Sequence, residues 1–206
     1  MENKQTFTRR SGKLSIVTGD ATKPEGLGEK PIIIPHVVNS IGGWGSGFVL
    51  AINKAFGIGP MMAYRDWHVL GPGNDSSEHA KESMRDRINN DYNNKIICCE
   101  GFDDFALGSV QFVRTKPKLV IANMVAQAGT ISKPVDDRPP IRYGALAKAM
   151  THVADFNAFR VDSKAEIHCP KFGSDLAGGD FNIIEQLIRE IWVDRGLDVF
   201  IYEWVG

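Results

Sequence analysis

The apolar positions of this chain change period repeatedly, and each change marks a passage between strand and helix. Leu14-Ser-Ile-Val-Thr18 alternates as a half-buried strand does, and Gly19-Asp20 ends it. Residues 32–38, Ile-Ile-Ile-Pro-His-Val-Val, are almost continuously β-branched, the pattern of a central strand buried on both faces. Phe48, Val49, Ile52, Ala55 and Phe56 then recur at helical spacing, and residues 57–60 stop that helix. Residues 61–70 read as a second helix with Met62, Trp67 and Val69 among its core positions. Residues 71–77 are turn-rich, and residues 78–94 are strongly polar, a solvated helix or surface excursion with no chemistry assigned.

Order returns with Lys95-Ile-Ile-Cys-Cys99 and Gly108-Ser-Val-Gln-Phe-Val113, which read as a strand pair, and with Leu119-Val-Ile-Ala-Asn-Met-Val125, another central strand. Asp136-Asp-Arg-Pro-Pro140 leads into a helix whose stripe is Tyr143, Leu146, Ala147, Met150, Val153 and Ala154. Residues 165–169 form a short strand. Ile184, Leu187, Ile188, Ile191 and Trp192 mark one face of the clearest helix, Gly196 fits its C-cap, and residues 197–204 close the chain as a strand. The sum is a mixed central sheet with helices on both faces, a three-layer α/β/α domain over residues 1–206 with a poorly readable insertion at about 57–105.

Composition narrows the function classes. Hydrophobic residues at 43% and charged residues at 24% are ordinary globular values, so gross disorder is not expected. A net charge of −1 argues against a broad nucleic-acid or membrane surface. No apolar run approaches the roughly 18 residues of a membrane helix, and the N-terminal stretch has no apolar core after its basic residues. The cytoplasm, or the cytosol of an infected cell, is the expected location. The three cysteines, Cys98, Cys99 and Cys169, lack metal-ligand spacing and read as buried thiols, with a catalytic cysteine as the alternative. No spacing calls for a metal or a cofactor.

Two glycine-rich loops carry the candidate chemistry. His36-Val-Val-Asn-Ser-Ile-Gly-Gly-Trp-Gly-Ser-Gly47 joins a strand to a helix, and its glycines at 42, 43, 45 and 47 allow backbone amides to converge on one point. A strand, such a loop and a helix N-terminus make a generic anion cradle. The spacing is neither that of a Walker loop nor G-x-G-x-x-G, and a single loop of this kind is as readily a tight turn. Gly173-Ser-Asp-Leu-Ala-Gly-Gly179 repeats the arrangement, and two such loops can grip both faces of a diphosphate.

Gly19-Asp-Ala-Thr-Lys-Pro24, the 36–47 loop and residues 173–181, in that order, resemble a macrodomain, the ADP-ribose-binding module, over residues 14–204. Within that family His-x-x-Asn-x-x-Gly-x-Trp-Gly-x-Gly is most similar to the branch that includes ADP-ribose-1''-phosphate phosphatases. The resemblance implies that Asp20 accepts a hydrogen bond from the adenine amino group, with the Ala21 amide beside the ring; the alternative is a turn or cap residue. It sets Gly45, Ser46, Gly47 and Phe48 on one side of the diphosphate and Ser174, Asp175, Leu176, Ala177, Gly178 and Gly179 on the other. Gly43, Trp44, Gly173 and Gln127 complete the implied ligand-binding set.

Asn39 would reach the distal ribose or its terminal phosphate, unless it is a loop-capping amide. Tyr202 and Trp204 would wall the adenine, or belong to the core. His36 is either a hydrogen-bonded core residue or an acid, base or nucleophile at the distal phosphate. Asp175 departs from the small residue usual in that loop, and would orient a water or cap a turn. His36, Asn39 and Asp175 are thus the catalytic candidates. Macrodomains that remove ADP-ribose from glutamate use a lysine after the central strand and an aspartate in the second loop. The matching stretches, 123–127 and 176–178, show neither, although Lys133 is nearby. The Asn-Ala-Asn pattern of other glycohydrolases is missing.

The expected function is therefore ADP-ribose binding with phosphatase action on ADP-ribose-1''-phosphate. The alternatives are a non-catalytic reader of ADP-ribosylated protein or of an ADP-ribose-derived signal, and an ADP-ribosyl hydrolase. The expected partner is ADP-ribose or a derivative, with an ADP-ribosylated protein as a further candidate.

Overall fold

The computed structural model describes residues 11–70, 96–99, 105–159 and 164–204. The polar 78–94 stretch and the first ten residues lie outside them. Seven strands form the main sheet: β1 (Leu14–Thr18), β2 (Ile32–Asn39), β3 (Ile96–Cys99), β4 (Val110–Lys116), β5 (Leu119–Gln127), β8 (Glu166–Pro170) and β9 (Val199–Glu203), in the order β1-β9-β8-β2-β5-β4-β3. A small hairpin of β6 (Gly129–Thr130) and β7 (Lys133–Pro134) stands apart. Pairings from β1 through β5 are parallel, and β4 joins β5 and β3 antiparallel, so the sheet is mixed as expected.

The central strands are buried on both faces, and their alternation sorts side chains into two layers. Ile32, Ile34 and Val38 of β2 pack with Leu119, Ile121 and Val125 of β5 against α1 (Phe48–Phe56) and α2 (Gly59–Leu70). Ile33, Ala122 and Met124 face the other way, towards α3 (Tyr143–Phe159) and α4 (Phe181–Ile188). Helices therefore cover both faces, which is the three-layer α/β/α arrangement.

Two elements differ from the sequence expectation. In α2 the buried positions are Pro60, Ala63, Tyr64, Asp66 and Trp67, with Ala63, Tyr64 and Trp67 making the apolar 3.6-residue stripe, whereas Met62 and Val69 are only half-buried. After Ile188 the last helix widens into a π turn over Arg189–Val193, where the Asp194 N–H reaches back five residues to the Arg189 carbonyl at 2.9 Å. That turn carries Val193 into the core and leaves Ile191 half-buried. Gly196, at φ 81°, ends it. Among the described residues no helix is long and apolar enough to cross a membrane.

Candidate functional site

The first glycine loop is built on Asn39. Its Oδ1 accepts from the Ile41 and Gly43 amides at 3.1 and 2.9 Å, its Nδ2 donates to the Gly43 carbonyl at 2.7 Å, and the buried Tyr64 hydroxyl donates to its backbone carbonyl. Of the four glycines only Gly42 and Gly47 have positive φ, at 71° and 77°. Gly47, with ψ −152°, occupies backbone space that essentially only glycine enters, and it hands the chain directly to α1. No side chain caps that helix; of its first-turn amides the Leu50 N–H bonds the Gly47 carbonyl at 3.1 Å, and the helix dipole favours an anion at this end.

The second loop closes by internal backbone bonds, Gly179 N–H to Gly173 O and Gly178 N–H to Asp175 O, both at 2.9 Å. Gly173 has φ 80°, and a Cβ there would lie 2.8 Å from Ile184. The buried Ala177 passes its carbonyl to the Ile141 amide, whereas Asp175 and Leu176 are left exposed. The Asp180 carboxylate then caps α4 through the Asn182 amide at 2.8 Å. The two loops meet: a Cβ on Gly47 would touch Leu176 Cδ1 at 3.4 Å.

Two cavities open on either side of that meeting point, with volumes of about 740 and 950 Å³. Gly47, Phe48, Pro170, Lys171 and Asp175 line both, so they form one groove with a waist where the loops approach. At the larger end stand Asp20, Ala21, Tyr202 and Trp204. Asp20 Oδ1 accepts from the Thr22 amide and hydroxyl at 2.9 and 2.7 Å, leaving Oδ2 facing only the exposed Lys23 ammonium at 3.9 Å. Tyr202 is buried, and its hydroxyl meets His168 Nδ1 at 2.9 Å, whereas Trp204 is 72% exposed. At the other end His36, Asn39, Gly43, Trp44, Gly45 and Ser46 face Gln127, Lys133, Arg65, Gly173, Leu176 and Ala177.

No protein-family model matches the chain, and no curated protein does. Solved structures do. A Bacteroides thetaiotaomicron protein of unknown function shares 34% identity at TM-score 0.70, over 94% of this chain and 99% of that one. A macrodomain protein of Streptomyces coelicolor shares 36% identity at TM-score 0.64, over 94% of this chain and 100% of that one. This chain is a macrodomain. A more distant neighbour, Thermosipho africanus DarTG in complex with ADP-ribose, matches at 11% identity and TM-score 0.57, over 94% of this chain and 42% of that one, and shares the fold alone.

The macrodomain brings most residues singled out in its sequence into the groove, with four exceptions of role. Ser174, Gly178 and Gly179 do not line it: the Ser174 hydroxyl bonds back to the Lys171 carbonyl at 3.4 Å, and a Cβ on Gly179 would lie 2.5 Å from the Gly173 carbonyl. They shape the loop. Asn39 borders the distal cavity, but its amide is occupied by the loop it organises. Conversely, Lys133, noted from the sequence only as near the central strand, and Arg65, of which the motif stretches gave no sign, line the chamber that Asp175 also lines. Lys133 arrives on the β6–β7 hairpin, and Arg65 is the exposed position between the buried Tyr64 and Trp67 of α2.

His36 is 1% exposed, its Nε2 lies 2.6 Å from Asn123 Oδ1, and its ring meets Trp44 edge-on with centroids 5.5 Å apart. Burial lowers its pKa to about 4, against the smaller upward pull of Asn123 and the Val37 backbone, so the imidazole is neutral at pH 7. That disfavours it as a proton donor. Cys169 is fully buried, which pushes its thiol well above the ordinary range and leaves it inert.

The low His36 pKa has a stability consequence. At pH 7.5 the ring is neutral in folded and unfolded chains alike, so no cost arises. As pH falls below about 6.5 the unfolded chain takes up a proton that the folded chain refuses until about pH 4. From His36 alone the fold is expected to lose about 2 kcal/mol between pH 7.5 and 5, at about 1.4 kcal/mol per pH unit. Burial lowers His168 and His68 in the same direction, whereas Asp136, held at about 2 by Arg138, is silent in that window. Urea unfolding at the two pH values measures the loss, and equal stabilities would contradict it.

Proposed function

We propose that this macrodomain binds ADP-ribose along the groove and hydrolyses the terminal phosphate of ADP-ribose-1''-phosphate. The observation that carries the reading is the waist: two glycine loops meet beside a helix N-terminus that no side chain caps, with the cavity of Asp20, Ala21 and Tyr202 on one side and the chamber of Lys133, Arg65 and Asp175 on the other. The solved complex of the Thermosipho africanus protein with ADP-ribose supports the ligand class. Adenine would lie at Asp20, Ala21 and Tyr202, and the diphosphate at the amides after Gly47. The distal ribose would reach the chamber of His36 and Gln127.

There Lys133 and Arg65 supply positive charge for a terminal phosphate, and Asp175 supplies a carboxylate. In the hydrolysis a water held by Asp175 adds to phosphorus as the bond from phosphorus to the sugar oxygen breaks. Asp175 takes a proton from that water and returns it to the sugar oxygen, and inorganic phosphate leaves. A neutral, buried His36 is not the proton donor in this scheme. Incubation with ADP-ribose-1''-phosphate should release inorganic phosphate; intact ADP-ribose binding without release would leave a reader.

The shared chamber of Lys133 and Asp175 favours a second reading, removal of ADP-ribose from an acidic side chain. A glutamate-modified peptide tests it by release of free ADP-ribose.

A further inference from the structure

Three buried polar side chains sit in one row across adjacent strands. His36 of β2 pairs in register with Asn123 of β5, and Asn123 with Gln111 of β4. All three are 1% exposed or less, within a layer otherwise made of aliphatic and aromatic groups. The row ends at the backbone of α2: Gln111 Nε2 donates to the Ala63 carbonyl at 2.8 Å, and Asn123 Nδ2 lies 3.5 Å from the Pro60 carbonyl.

A carbonyl can only accept, and that fixes every direction along the row. Because Ala63 O takes the Gln111 NH₂, the Gln111 Oε1 must face Asn123 and accept its Nδ2, at 2.9 Å. Asn123 then has only Oδ1 to offer His36, so the proton of the 2.6 Å contact lies on the imidazole Nε2. A neutral ring with its proton on Nε2 has a bare Nδ1. That atom is buried and makes no hydrogen bond of good geometry, the Val37 backbone beside the ring giving only a weak upward pull on its basicity, and a bare buried nitrogen is costly. His36 itself borders the chamber, so a ligand group there must move in against the ring to reach Nδ1. The ring nitrogens diverge, so turning Nε2 onto Asn123 turns Nδ1 away from β5.

We propose that the Pro60 and Ala63 carbonyls, acting through Gln111 and Asn123, lock His36 as its Nε2–H tautomer, so that Nδ1 accepts a hydrogen bond from a distal-ribose hydroxyl. Gln111 and Asn123 are then positioning residues, and His36 selects a hydroxyl donor. A fully deprotonated phosphate oxygen cannot donate and is a poor partner for this atom. The lowered basicity of the ring keeps the acceptor bare across the neutral range. The ligand half of this inference rests on the reading of the groove as an ADP-ribose site; the tautomer half does not.

The test is side-chain nitrogen NMR on the ¹⁵N-labelled wild-type chain, titrated with ADP-ribose and separately with ADP, which lacks the distal sugar. The expected spectrum shows His36 protonated at Nε2 and bare at Nδ1 at pH 7, with Nδ1 moving towards a hydrogen-bonded value on adding ADP-ribose and staying put with ADP. Gln111→Met should let the ring sample both tautomers and weaken ADP-ribose binding roughly three- to ten-fold, the worth of one neutral hydrogen bond, while leaving ADP affinity unchanged. A proton on Nδ1 overturns the inference, as does ADP-ribose binding without a change at Nδ1. Failure of either ligand to shift any resonance in the groove would overturn the ligand reading and the sugar contact together, leaving the tautomer to be judged on its own signal.

Discussion

Asp20→Asn is expected to weaken ADP-ribose binding roughly ten- to hundred-fold, which is what one charge-assisted hydrogen bond contributes. The substitution is selective. Asn keeps an Oδ1 for the Thr22 amide and hydroxyl, so the turn after β1 survives, but the second oxygen becomes an NH₂ that meets the adenine amino group donor to donor. The loss of the exposed Lys23 pair at 3.9 Å is worth little, so the unfolding free energy from urea titration should change by less than about 0.5 kcal/mol. An inosine-based analogue, with a carbonyl where adenine carries its amino group, should bind the variant better than it binds the wild type. Unchanged ADP-ribose affinity in the variant would remove the base from Asp20.

The second large effect belongs to Asp175. Asp175→Asn should slow phosphate release from ADP-ribose-1''-phosphate about a hundred-fold, in the range a positioned acid–base group contributes. ADP-ribose affinity should stay level or rise, because a carboxylate at the waist repels the diphosphate. A slower rate with undiminished binding separates chemistry from loop damage, which is expected to be slight at so exposed a residue. A wild-type rate in the variant would remove Asp175 from the mechanism.

The layers were legible because β2 and β5 are long, β-branched and buried on both faces, and because α1 and α3 carry regular stripes. The loops were legible because glycine is demanded by backbone geometry at Gly42, Gly47 and Gly173. Other features left no such trace. Strands of two residues, as in the β6–β7 hairpin, are too short to show a period, so Lys133 could not be assigned to the chamber. The π turn after Ile188 changes spacing without any glycine or proline to announce it.

Polar groups in strands were the least readable. His36, Gln111 and Asn123 look like interruptions in apolar runs, and only strand register turns them into a row. Asn39 shows the converse problem, since a loop-building amide and a ligand-facing one carry the same residue in the same motif, and only its bonds to Ile41 and Gly43 show which work it does.

The reading of the groove turns on whether its two halves take one molecule. Calorimetric titration with ADP-ribose and with AMP tests that directly. ADP-ribose should bind one to one and at least about ten-fold more tightly than AMP, which reaches only the Asp20 side of the waist. No saturable heat with ADP-ribose, or equal affinity for AMP, would contradict it.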